Sequence, residues 1–244
     1  MDNELNKSDY REEDVRISGF AGNPSVVAAL MRNVYWWMTA ALVITGLTSL
    51  LVSKNGAILG MLFSSSAPII TLCVVELLLV IVLTACINKM SFTTATVMFI
   101  VYSIVNGLTL TPILLLYTQE SIASTFFITA GTFAAMALIG SFTKKDLSGL
   151  GRFFLMALIG LIIASVVNIF VASSPLYWGI TVVGVLLFAG LTAYDAQHIK
   201  ALLQFYGDEV NENTQKIALL GSLELYLDFI NMFLYLLRLF GKKN

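Results

Sequence analysis

Charge is scarce in this chain. Of its 244 residues only 12% are Asp, Glu, Lys or Arg, against roughly 25% in a soluble domain. Histidine occurs once, at His198, and cysteine twice, at Cys73 and Cys86. That set excludes a zinc constellation, and both cysteines are expected as buried, reduced packing residues. The net charge is −1, so the chain has no basic excess with which to hold nucleic acid. The first 20 residues are polar and lack an apolar core. No cleavable signal peptide is therefore expected, and the first true span acts as the targeting signal. No internal repeat stands out.

What is abundant is apolar sequence. The chain is 58% hydrophobic and its mean hydropathy is +0.86. These values describe an all-α integral membrane protein whose partner is the lipid bilayer. A crossing takes roughly 20 apolar residues, and seven segments qualify: about 33–53, 68–88, 93–117, 122–142, 152–172, 177–199 and 216–240. Tyr35, Trp36 and Trp37 open the first at headgroup level. Pro112 removes a backbone donor near the end of the third. In the fourth, Ala130, Gly131, Ala134, Ala135 and Ala137 permit close helix contact. The sixth runs at least to Ile199 and has room to continue to Tyr206, where Gly207 stops it. Residues 1–24 hold six of the fifteen acids and read as a disordered cytosolic tail. Residues 25–244 form one seven-helix transmembrane domain.

The last segment carries the most information. Within it stand Glu224, Asp228, Asn231, Tyr235 and Arg238, spaced 4, 3, 4 and 3. That spacing puts them on one stripe of a helix. Ionisable residues inside a membrane face a bundle interior or a water-filled path. The last helix therefore belongs inside the bundle, with the others around it.

Four acids fall within the spans: Glu76, Asp195, Glu224 and Asp228. Asp228 lies 12 residues after Lys216, about 18 Å along a helix. If the sixth helix ended at Ile199, Asp195 would lie only about 6 Å from its end and the two would miss each other. Extension to Tyr206 brings their depths together. Two carboxylates in one dry site resist joint ionisation and titrate as a unit. Such a pair shares a proton when its helices are close and repels when the proton is lost. It also offers hard oxygen ligands to Ca²⁺. Glu76, Asn106 and Asn231 are candidates to add oxygens along an ion path, and the blander reading of the pair is a structural hydrogen bond. Glu224 reads first as a solvated charge at the helix start and second as a member of that path. His198 reads as a surface residue at a helix end. Arg238 and Lys242 snorkel to the outer interface.

Orientation follows from Lys and Arg. With the N-terminus in the cytosol, ten fall on the inner side and four on the outer, which favours that topology. The tail Gly241–Asn244 then lies outside, unless the seventh segment is re-entrant. Seven full spans are expected.

Two motifs, LTAYDAQHIK at 191–200 and SLELYLDFINMFLYLLRLFG at 222–241, resemble the signature ends of the Bax inhibitor-1, or transmembrane Bax inhibitor motif, family. GLTLTPI at 107–113 and KKDLSGLGRF at 144–153 resemble its bacterial members. The resemblance runs from about residue 30 to the end. It implies seven helices with the last one central and wrapped by the other six. It implies a pH-sensitive Ca²⁺ leak in a bacterial inner membrane, with Asp195 and Asp228 as the proton-sensing gate, transient ligands for Ca²⁺ and no resident cofactor. Glu76, in VVELLLV, matches a glutamate of the family's second helix. Bacterial relatives carry arginines at the inner end of that helix, able to latch onto the aspartates. Here the segment reads CINKM and only Lys89 is near, and lysine is no bidentate equivalent. The resemblance further allows a non-catalytic regulator that binds a membrane-anchored protease through residues 1–24. An intramembrane aspartyl protease is the third reading. It is disfavoured because Asp228 follows Leu225-Tyr226-Leu227 rather than a glycine-rich turn. The chain is not expected to be an enzyme.

Overall fold

The structure, a computed structural model, describes residues 23–244. The reading of residues 1–24 as a disordered, partner-binding tail falls almost wholly outside them. Eight helices follow in order: α1 (Pro24–Ser53), α2 (Gly56–Leu62), α3 (Ala67–Cys86), α4 (Phe92–Leu116), α5 (Gln119–Phe142), α6 (Gly151–Val171), α7 (Ser174–Tyr206) and α8 (Glu212–Phe240). Seven are long and apolar enough to cross a membrane. The short α2 is an addition to the sequence reading. The Asn55 side chain caps it, accepting from the backbone N–H of Ala57 and Ile58 at 3.1 and 3.2 Å.

Helix starts are set by local chemistry. Asn23 caps α1, with Pro24 at its first position, where the missing N–H costs nothing. The helix that carries the first span therefore starts at Pro24, ahead of residue 33. Ser91, Thr118 and Ser173 cap α4, α5 and α7. Asn211 and Thr214 form a reciprocal capping box at α8, so α8 starts at Glu212, one turn before Lys216. Glu212 then accepts from the Phe92 N–H at 3.0 Å and pairs with Lys216 at 3.0 Å, fastening the start of α8 to that of α4. Pro112 stands inside α4, which continues to Leu116.

Helix α8 is central. Sixteen of its side chains are buried, while α3 and α6 each bury a single residue, Leu83 and Leu161. Its close neighbours are α7, α1, α5 and α4. These four pack directly on α8, and α3 and α6 complete the surround as an outer layer against α4 and α7. Cys73, on α3, is exposed rather than buried, because that helix turns its side toward lipid.

Aromatic rings fill the contacts. Phe229 of α8 meets Phe126 and Phe133 of α5 edge-on at 5.6 and 5.5 Å. Tyr235 stacks on Phe188 of α7 at 5.8 Å. Each such pair contributes about 0.5–1.5 kcal/mol beyond its buried area. The close approach of α5 to α7 falls at Gly140, where a Cβ would run into the Ala193 backbone carbonyl. Gly131, singled out from the sequence, has open space beside it.

The C-terminal tail settles whether α8 crosses fully. Its 29 residues span about 43 Å. Beyond it, Lys242 O accepts from Thr118 N at 2.9 Å and Asn244 N donates to Leu116 O at 3.0 Å. The tail is thus stitched to the α4–α5 turn, opposite the face where α8 starts beside α4's first residue. α8 thus runs the full height of the bundle alongside α4.

Candidate functional site

The polar stripe of α8 faces α7. Asp228 is 4% exposed, and its carboxyl group lies within hydrogen-bonding range of the Asp195 carboxyl on α7. Ionised carboxylates only accept, so a hydrogen bond between them requires a proton. Asp228 Oδ2 is fully buried. The meeting depends on the length of α7. The helix does not stop at Ile199 but continues to Tyr206, 11 residues beyond Asp195 and about 16 Å farther along.

Glu224 joins this pair. It was expected as a solvated charge at the helix start. Because α8 begins at Glu212, Glu224 stands 12 residues in, about 18 Å along the axis. It is half-buried and feels the charges of Asp195 and Asp228. Three carboxyl groups thus share one region between α7 and α8. Further along the stripe, Tyr235 packs on Gly184 and Phe188 of α7, and Arg238 lies over the Tyr235 ring at 5.3 Å. Asn231 donates to its own helix, Nδ2 to Leu227 O at 2.8 Å, which leaves its Oδ1 for other partners.

A second polar cluster occupies another side of α8. Tyr226 is fully buried and its hydroxyl lies 2.7 Å from Thr45 Oγ1 of α1. The same hydroxyl donates to Asn106 Oδ1 of α4 at 2.9 Å. Asn106 Nδ2 donates in turn to Glu76 Oε1 of α3 at 3.2 Å, with the Thr109 hydroxyl beside it. Thr45 Oγ1 also lies 2.9 Å from Ser103 O, so its one proton is shared between that carbonyl and the Tyr226 oxygen. Four helices are joined by one chain of bonds ending on a carboxylate. The rings of Phe99 and Tyr102 meet Tyr226 edge-on at 6.0 and 5.8 Å, and Gly107 lets α4 approach Thr45 and Thr48. Sequence reasoning found Glu76 and Asn106 but missed Tyr226 and Thr45. A tyrosine in an apolar helix gives no signal until its hydroxyl has a partner.

The motif around Asp195 is structural on its other sides. Gln197 Oε1 accepts from Leu147 N at 2.7 Å, and its Nε2 donates to Lys145 O at 2.8 Å, which clamps the α5–α6 loop. Tyr194 packs against Gly151 and Phe154. His198 is exposed and stacks on Tyr194 at 5.8 Å. Lys89 is exposed, in the turn after α3; among the described residues it forms no ion pair with Asp195 or Asp228. Nor do three His, Cys, Asp or Glu side chains among the described residues converge in a metal-holding arrangement.

Comparison with known proteins agrees with this architecture. Residues 27–244 match the family described as "Inhibitor of apoptosis-promoting Bax1". The inner membrane protein YbhL of Escherichia coli K12 is 46% identical over 214 residues, covering 88% of this chain and 92% of that protein. An uncharacterized protein of Borreliella burgdorferi is 41% identical over the same shares. Another, from Deinococcus radiodurans, is 39% identical over 89% of this chain and 92% of its own length. With the family match covering nearly the whole described chain, and the paired aspartates in the two motif helices, this protein belongs to the Bax inhibitor-1 family of integral membrane proteins.

Proposed function

We propose that the chain is a pH-sensitive leak for cations, Ca²⁺ foremost, and that Asp195 and Asp228 form its gate. The observation that carries this reading is the meeting of their carboxyl groups between α7 and α8, with Glu224 alongside. With a proton between them, the pair ties α7 to α8. Without it, like charges face each other in a poorly hydrated space and push the helices apart. The same loss of a proton leaves the two aspartates as hard-oxygen ligands for transient contact with a passing Ca²⁺. Glu76 and Asn106 offer further oxygens on the other side of α8, and Asn231 a free amide oxygen. The N-terminus is assigned to the cytosol from the ten-to-four distribution of Lys and Arg.

The role is transport rather than catalysis. Two facing aspartates also occur in membrane proteases, but the glycine-rich turn before the second aspartate is absent here. The test is purified protein in liposomes loaded with a fluorescent Ca²⁺ indicator. Passive flux above that of empty liposomes, changing between about pH 6 and 8, is the expected result. No flux at any pH in that window overturns the leak. Cleavage of a helical peptide, lost when either aspartate becomes asparagine, would replace it with the protease.

A further inference from the structure

Away from the carboxyl pair, α1 and α5 both pack on α7 and α8 but scarcely on each other. The gap between them is a groove of about 1080 Å³. It follows α1 from Pro24 to Thr39, about 22 Å of helix, with Arg32 near its midpoint. Its long walls are apolar, with Met31, Phe133 and Leu138 among them.

Arg32 and Lys200 are the charged residues that line the groove. Arg32 is exposed, and among the described residues no carboxylate pairs with it. The Lys200 ammonium donates to Ser141 O at 2.6 Å and lies 5.5 Å over the Phe142 ring. An ammonium has three protons, so two remain for a ligand. No acidic side chain lines the groove. Two cations at the mouth of a deep apolar slot match an amphiphile with a negatively charged head and a long hydrocarbon tail.

We propose that this groove is a binding site for an anionic glycerophospholipid, its phosphate between Arg32 and Lys200 and an acyl chain along the wall formed by α1 and α5. The two cations sit where the first turns of α1 and the last turns of α5 and α7 converge, at headgroup level. Beyond Arg32 the groove follows α1 for seven more residues to Thr39, about 10 Å, where an acyl chain enters freely and the carboxylates of segment 1–22 would enter hydrocarbon at high cost.

The test uses the full chain in nanodiscs of mixed phosphatidylglycerol and phosphatidylcholine, followed by native mass spectrometry of the lipids retained. Wild type is expected to keep phosphatidylglycerol preferentially. The double variant Arg32→Gln, Lys200→Gln is expected to lose that preference by about thirtyfold, the scale of two cations near an anionic lipid. Ala134→Trp, which places a ring in the exposed part of the groove, is expected to lose lipid of both kinds. Unchanged melting temperatures certify that the variants fold. A photoreactive residue at position 138 is expected to capture lipid. Equal retention of the two lipids by wild type, unaltered preference in the double variant, or capture of residues 1–22 or of a second chain from position 138 would each overturn the proposal.

Discussion

The Tyr226 hydroxyl, 2.9 Å from Asn106 Oδ1, links the central helix to Glu76 two helices away. Asp228, two residues further along α8, meets Asp195 instead. Helix α8 therefore carries two polar clusters at nearly one depth, one toward α7 and one toward α1 and α4. A shift of α8 that loosens one must strain the other.

The sign of the pH response follows from what ties the aspartates together. A cation latched to them would be released by acid, when the carboxylates gain protons. Among the described residues no cation pairs with either aspartate, and on the proposed reading the tie is their shared proton. It holds at low pH and is lost as pH rises. Ca²⁺ flux from liposomes is expected to increase from about pH 6 to 8. Asp195→Asn and Asp228→Asn each replace the proton by a permanent amide donor. Both variants are expected to show low flux that no longer varies with pH. Flux like that of wild type across the window in both variants would remove the gate.

Removing the Tyr226 hydroxyl should destabilise the bundle without emptying space. Tyr226→Phe leaves Asn106 Oδ1 without its buried donor and takes a partner from Thr45. An unsatisfied buried group costs about 1–3 kcal/mol. A lower melting temperature in detergent is expected, together with altered Ca²⁺ flux, since Asn106 positions Glu76. Melting and flux both equal to wild type would show the chain of bonds to be idle.

Two glycines of α5 should respond in opposite ways. At Gly140 a side chain meets the Ala193 backbone, and Gly140→Val is expected to cost about 1–3 kcal/mol by overpacking. At Gly131 nothing lies within 4 Å. Gly131→Ala is expected to be neutral or stabilising by up to about 1 kcal/mol, from helix propensity. Thermal melting of the two variants side by side checks the contrast.

Gln197 should matter to the loop rather than the gate. Gln197→Ala removes both bonds to the segment between α5 and α6. Hydrogen exchange at the Leu147 amide is expected to rise about fivefold or more, for roughly 1 kcal/mol of lost protection. The pH dependence of flux should stay as in wild type. If the amide exchanges no faster, the clamp is not holding the loop.

The sequence by itself determined the class, the number of crossings and the face of α8 that carries its acids. Apolar runs of bilayer length can only be helices, because each must satisfy its own backbone in lipid. The spacing of Glu224, Asp228, Asn231, Tyr235 and Arg238 fixed one stripe, because a helix has 3.6 residues per turn. Only the tertiary structure decided which groups meet. Depth was open until the Asn211–Thr214 cap set the start of α8 and α7 ran on to Tyr206, and together these placed Glu224 with the aspartates rather than at the headgroups. The cluster around Tyr226 was hidden for a related reason. Its members come from four helices distant in sequence, and a hydroxyl becomes a structural element only when packing brings it a partner.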